Sequence, residues 1–263
     1  MSHLPSATPS KTAWDAKDLA GDPHRHAEKA GKVQRMFSAI AGSYDLNNRL
    51  HSFGRDQAWR RFAVQTASVR PGDRVLDVAC GTGDLTEMFA RTEAAEVIGV
   101  DFTAPMLDVA REKRNHNLSQ AQAGKVSYVE GDAMALPLES GSFDVLSIAF
   151  GIRNVSDPLK ALQEFARVLK PGGRLVVLEF DRPSWFPMRQ LNDFYCGWLM
   201  PRTASLIARD KSGAYRYLPK SVGTFLNREG LQEAIRTSGF ERPGSRALTF
   251  GICVCHWATR VSA

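Results

Sequence analysis

The feature that most constrains this chain is a rhythm that begins at Asp73, where short apolar, β-rich runs alternate with segments of helical spacing. Residues 74–79, 96–101, 126–130, 143–150 and 174–180 read as strands, and 84–91, 103–116 and 157–169 read as the helices between them. Val75-Leu76-Asp77-Val78 and Leu175-Val176-Val177-Leu178 are apolar at successive positions. Side chains alternate across a pleat, so such strands need cover on both faces. Strand, helix, strand repeated under two-sided cover predicts a doubly wound, mostly parallel α/β sheet. Pro171-Gly172-Gly173 is expected to stop a helix at Lys170 and launch the next strand.

Outside that rhythm the chain divides into three further parts. Residues 1–30 are polar and aperiodic and read as a loosely ordered extension, leaving 31–263 as the domain. Two helices are expected at its start, one with Val33, Met36, Phe37 and Ile40 on a stripe, the other around Trp59, Phe62, Ala63 and Thr66. Gly42-Ser43-Tyr44-Asp45 reads as a turn between them. Residues 182–225 are rich in Trp, Phe, Tyr, Pro and Met, with helical spacing at Leu191, Phe194, Trp198 and Leu199, and read as an insertion over the ligand edge of the sheet. A helix at 228–238 and β segments near 241–258 follow.

Val75 to Asp84 forms a strand, a glycine turn and a helix start, and ligands of open α/β sheets bind beyond the carboxyl ends of strands. Gly81 and Gly83 permit close backbone approach to a ligand. A dinucleotide fingerprint would want a third glycine where Thr86 stands, and a pyrophosphate on the helix N-terminus that Asp84 would oppose. S-adenosylmethionine carries an ammonium, a carboxylate and a sulfonium but no phosphate, so Asp77 and Asp84 suit it; Asp84 can also serve as a helix cap. Asp101 closes the second strand about 20 residues after the glycine turn, the spacing that lets a carboxylate meet a ribose diol. Asp132, in Gly131-Asp132-Ala133, can accept from an adenine amino group.

Several longer motifs narrow the class. Tyr44-Asp45-Leu46-Asn47-Asn48, Ser52-Phe53-Gly54, Phe150-Gly151-Ile152-Arg153-Asn154-Val155, Arg167 through Arg174, and Tyr215-Arg216-Tyr217-Leu218 resemble the ubiquinone/menaquinone biosynthesis C-methyltransferases of the UbiE or MenG type. The resemblance runs from about Val33 to Arg260. It implies a seven-stranded class I methyltransferase sheet, with S-adenosylmethionine as cofactor and Thr82, Asp101, Asp132 and Ala133 on positions that contact it. Ala149 stands where some members carry a serine that also does so.

The same resemblance implies methylation of a polyprenyl quinol ring carbon, with demethylmenaquinol as the first expected substrate and the ubiquinone-pathway benzoquinol as the alternative. Arg153 and Asn154 are then the expected catalytic pair, Arg153 stabilising a phenolate or orienting a water and Asn154 fixing the oxygen. Asp45 or His51 is the expected proton acceptor. Tyr44 reads as a lid residue or a packed aromatic, and Tyr215 and Tyr217 as cavity-lining or helix-packing residues.

Composition bounds the partners. No apolar run reaches the roughly 18 residues of a spanning helix, and the first thirty residues lack the apolar block of a secretory signal, so a cytoplasmic protein is expected, with transient, peripheral contact at the inner membrane through Trp185 to Trp198. A homodimer is compatible with the sequence. The net charge of +6 is read as dispersed, with no nucleic-acid partner. Cys80, Cys196, Cys253 and Cys255 show no disulfide framework, and neither His24-x-His26 nor Cys253-x-Cys255 brings the further ligands of a zinc site, so no metal is expected.

Overall fold

The computed structural model describes residues 12–200 and 212–262. Five strands run parallel: β1 (Arg74–Val78), β2 (Glu96–Asp101), β3 (Val126–Glu130), β4 (Phe143–Ala149) and β5 (Leu169–Phe180). With β6 (Phe240–Leu248) and β7 (Cys253–Arg260) they form one sheet in the order β3-β2-β1-β4-β5-β7-β6, in which β7 is antiparallel to both its neighbours. The strand order reverses between β1 and β4, and the crevice beyond their carboxyl ends is where such a sheet takes its ligand.

Strand alternation divides the core as the sequence pattern requires. Leu76, Val78, Leu146, Ile148, Leu175 and Val177 pack on one face, against α7 (Pro158–Val168) and the later helix Arg228–Thr237. Val75, Val145, Val176 and Leu178 pack on the other, against α3 (Arg55–Ala67) and α4 (Asp84–Ala90). Asp157 caps α7 by accepting the Lys160 N–H, with Pro158 at the first helical position.

Three expectations change. The turn read at 42–45 is a single 3-10 turn, Ala41–Ser43, between α1 (Lys29–Ile40) and a helix, α2 (Tyr44–His51). The Asn47 side-chain amide donates to the Ser43 carbonyl, and Asp45 in the first turn meets partners remote in sequence, so tertiary contacts hold a helix that starts directly after Gly42 and Ser43. The helix before β5 ends at Val168 rather than Lys170, and Phe143 pairs with Leu169 while Val145 pairs with Arg174. Residues 170–173 therefore bulge out of the strand, with Gly172 at φ +73.

The third change concerns the N-terminus. From Ala13 onward it is docked: Trp14 is 1% exposed, stacks on Tyr217 with ring centroids 4.6 Å apart, and donates its backbone N–H to the Ser212 carbonyl. One aromatic side chain thus ties down a segment whose polarity suggested none; residues 1–11 lie outside the described part. The insertion contains α8 (Met188–Phe194), a π-helical turn at Tyr195–Leu199 and the helix Ala214–Thr224; its residues 201–211 also lie outside.

Candidate functional site

Two residues without glycine's freedom bend the chain at the switch point. Ala79 follows β1 at φ 51 and Phe150 follows β4 at φ 58, a left-handed backbone that costs such residues about 1 kcal/mol or more. Both line a narrow cavity, with Gly81 and Asp101 on one side, Gly131, Asp132 and Ala133 on another, and Ala149, Gly151 and Asn154 on a third. Gly81 is itself left-handed, and a Cβ there would meet only the Tyr44 ring at 4.0 Å, so the space beside its backbone is open to a ligand.

Asp101 is held for use at the end of β2. Its carboxylate accepts the N–H groups of Gly81 and Thr103, each at 2.9 Å. Burial pushes its pKa up, and those backbone donors oppose the shift. Asp132 accepts the Met134 N–H at 2.9 Å. Among the described residues that line this cavity there is no Lys, Arg or His, while two are carboxylates. A pyrophosphate would face uncompensated negative charge here, whereas a sulfonium, an ammonium and a ribose diol are matched.

Other residues expected at the cofactor face away from it. Asp77 accepts the hydroxyls of Thr86 and Ser147 at 2.7 and 2.8 Å and lies in the sheet beneath α4, its pKa pushed up to about 6 by burial despite both hydroxyls. Asp84 pairs with Lys113 and Arg49; burial would raise its pKa, but Lys113 and Arg60 hold it low. Thr82 donates to Asp45, whose other oxygen pairs with Lys113 of α5 (Ala104–Asn117), and neither Thr82 nor Asp45 lines a cavity. Asp45 latches α2 onto the glycine turn, which leaves its carboxylate engaged rather than free to take a substrate proton. Gly83 serves packing: a Cβ there would lie 2.4 Å from the Tyr128 hydroxyl.

A second cavity, of about 760 Å³, opens on the helical side and shares Phe37, Tyr44 and Phe150 with the first. Tyr44 therefore stands at the junction, as a lid residue would, and Tyr215 and Tyr217 line the larger space. Tyr217 also donates to Asn154 at 3.0 Å, so it both lines and packs. His51 lies on the same wall; its buried Nε2 has no partner and burial lowers its pKa, which leaves a neutral imidazole. Of the two expected proton acceptors, His51 is the one on the cavity wall.

The expected catalytic pair is split between the two spaces. Arg153 faces the large cavity, 5% exposed, and pairs with Glu179 at 2.5 Å while donating to the Phe150 carbonyl at 2.7 Å. Asn154 lines the small one, donates to the same carbonyl and accepts from Tyr217. Sequence reasoning missed Glu179, which hides in an apolar strand, and Arg60, which lies one residue beyond the noted Trp59. Both are buried charges in apolar elements, and that was the available signal.

The fold is shared with solved methyltransferases. A SAM-dependent methyltransferase from Thermotoga maritima superposes with a TM-score of 0.60 at 22% identity, covering 86% of this chain and 99% of that one. The [4+2]-cyclase SpnF superposes at 0.64 with 17% identity over 89% of this chain and 97% of its own, so the architecture alone does not specify chemistry. Fold and acidic cleft together define a class I S-adenosylmethionine-dependent enzyme. Within that class, the chain belongs to the ubiE/COQ5 methyltransferase family, whose model matches residues 25–260. It is 43% identical over 252 residues to the ubiquinone/menaquinone biosynthesis C-methyltransferase UbiE of Edwardsiella ictaluri, covering 95% of this chain and 96% of that one. Against UbiE of Erwinia tasmaniensis it is 44% identical over 232 residues, covering 87% and 90%.

Proposed function

We propose that this enzyme transfers the methyl group of S-adenosylmethionine to a ring carbon of a polyprenyl quinol in quinone biosynthesis, with demethylmenaquinol as its substrate. The observation that carries the reading is the junction at Phe150 and Tyr44, where a narrow acidic cleft meets a large cavity walled mostly by apolar and aromatic side chains. The donor supplies an electrophilic methyl group; the chain's own work is to bring a ring carbon to it in line and to exclude water.

Tyr44 and Phe150, which line both cavities, stand between the two partners. Arg153, fixed by Glu179, stands on the quinol side and Asn154 on the donor side, and Phe150's carbonyl, bonded by both, sets their spacing. His51 is the group we assign to accept the quinol proton.

An isoprenoid tail has to leave a bilayer to reach this cavity. Phe53, Phe186, Leu191, Phe194, Trp198 and Phe250 are exposed, with Phe53 5.9 Å from Tyr195 and Phe250 6.0 Å from Trp185 between ring centroids. No helix among the described residues is long and apolar enough to cross a membrane. We assign these side chains to transient contact with the lipid surface.

Turnover measured with reduced demethylmenaquinol and with the 2-methoxy-6-polyprenyl-1,4-benzoquinol, both presented in vesicles, tests the substrate. The naphthoquinol should be methylated with at least a tenfold higher kcat/KM. The reverse preference would assign the enzyme to the ubiquinone precursor.

A further inference from the structure

Arg60 is a buried cation without a contact counter-ion among the described residues. It lies on α3, is 7% exposed, and lines the large cavity. None of its guanidinium nitrogens has a hydrogen-bond or ion-pair partner among the described residues, and its Nε is wholly buried without an acceptor. Its guanidinium lies 5.2 Å from the centroid of Phe150, the ring shared by both cavities.

Arg153 makes the contrast. Its guanidinium lies 5.2 Å over Phe180, whose ring centroid is 4.5 Å from that of Phe150, so two arginines bracket one aromatic pair. Glu179 neutralises Arg153 at contact distance, whereas among the described residues no carboxylate forms an ion pair with Arg60, whose charge is felt by the more distant Asp84 and Asp77. Arginine does not shed its proton to relieve burial. A largely buried guanidinium without a contact counter-ion is costly, so the cavity it lines is complementary to an anion that arrives with, or forms on, the ligand.

We propose that Arg60 is the electrostatic partner of the quinolate oxygen during methyl transfer. The inference rests on the quinol reading above. The hydroxyl beside the reacting carbon gives up its proton, and the charge left on oxygen raises electron density at that carbon. The carbon then forms the bond to the methyl group as the sulfur–methyl bond breaks, its electron pair staying on sulfur. Loss of the ring C–H proton and reprotonation of the oxygen restore the aromatic ring, with one proton released overall. Arg60 moves no proton in this sequence; it faces the charge as it develops, in a site preorganised by Phe150.

Arg60→Gln and Arg60→Lys, compared with the wild-type enzyme, test this. Arg60→Gln should lower kcat on the quinol by about 100-fold with S-adenosylmethionine affinity unchanged, and Arg60→Lys should recover much of the loss. A nitro-substituted hydroxynaphthalene that is ionised at the assay pH should bind the wild-type enzyme at least tenfold more tightly than its neutral methyl ether, and Arg60→Gln should abolish that difference. This preference is measurable on the wild-type protein even if Arg60→Gln fails to fold, and its absence overturns the proposal. So does an Arg60→Gln enzyme that keeps wild-type turnover, or one that loses both analogues equally, as a packing role would give. A wild-type enzyme that methylates neither quinol overturns the substrate reading as well, whereas quinol turnover untouched by Arg60→Gln overturns the inference alone.

Discussion

The two sides of Phe150 are built by opposite means. The donor side is built mainly from strand ends and the few residues after them, with backbone N–H groups, small side chains and two carboxylates, and only Ala30, Phe37, Tyr44 and Met106 reach it from α-helices. The quinol side is walled by side chains drawn from Met36 to Ile252, most of them on helices that cross the sheet's edge. A cofactor common to many enzymes is met by the part of the fold that topology fixes, and the specific substrate by the part that long-range packing assembles.

The sharpest way to break this division is at Arg153. Arg153→Ala should lower methyl transfer by about 1000-fold or more while S-adenosylmethionine affinity stays within about threefold. Equal loss of both, by kinetics and calorimetry, would move Arg153 to the donor side. Because the change strands Glu179, which is 2% exposed, it should also cost about 3–5 kcal/mol in denaturant unfolding. The double change Arg153→Met with Glu179→Gln should recover most of that stability but not the turnover.

Next in size is Trp14. Its replacement by alanine removes a fully buried ring stacked on Tyr217 and should destabilise by about 3–5 kcal/mol. Because Tyr217 lines the large cavity, the replacement should also disturb quinol turnover more than cofactor binding. A cost below about 1 kcal/mol would detach the N-terminal segment from the substrate half.

Asp77 sharpens the donor side by exclusion. Burial first, against the Thr86 and Ser147 hydroxyls, raises its folded pKa from 3.8 to about 6. The folded state therefore holds the proton that the unfolded state has lost between those pH values, and stability falls as pH rises through that window, by about 3 kcal/mol. Asp77→Asn should remove this slope in unfolding measured from pH 3.5 to 7, and leave cofactor affinity nearly unchanged. The smallest effect is expected at Ala149, where serine adds one hydroxyl to the cleft wall. Its cofactor affinity should rise by less than about fivefold.

Legibility in the sequence followed the same division. Strands β1, β2 and β4 were readable almost to the residue because they are mostly apolar on both faces, and the place of Asp101 and Asp132 in the cleft was readable because they lie at or just beyond strand ends. Asp77 misled because its type and place suited a cation, whereas Ser147, opposite it across the ladder, shows that it is a buried hydrogen-bond acceptor. Tyr44 and Asp45, the first residues of α2, were read as part of a turn since Gly42 and Ser43 argue locally for one, and the Asp45–Lys113 pair that holds the helix spans 68 residues of sequence. Trp14, Arg60 and Glu179 act only through partners folded against them, and single-sequence periodicity carries no record of those.

If the two cavities meet where a ring carbon faces the transferable methyl group, the methyl group's destination on the product reports it. Incubating the enzyme with S-adenosylmethionine carrying a carbon-13 methyl and reduced demethylmenaquinol, then locating the label by NMR, tests it directly. The label should appear as a methyl group on the naphthoquinol ring carbon. Label on a quinol oxygen, or none on either quinol, would contradict the account.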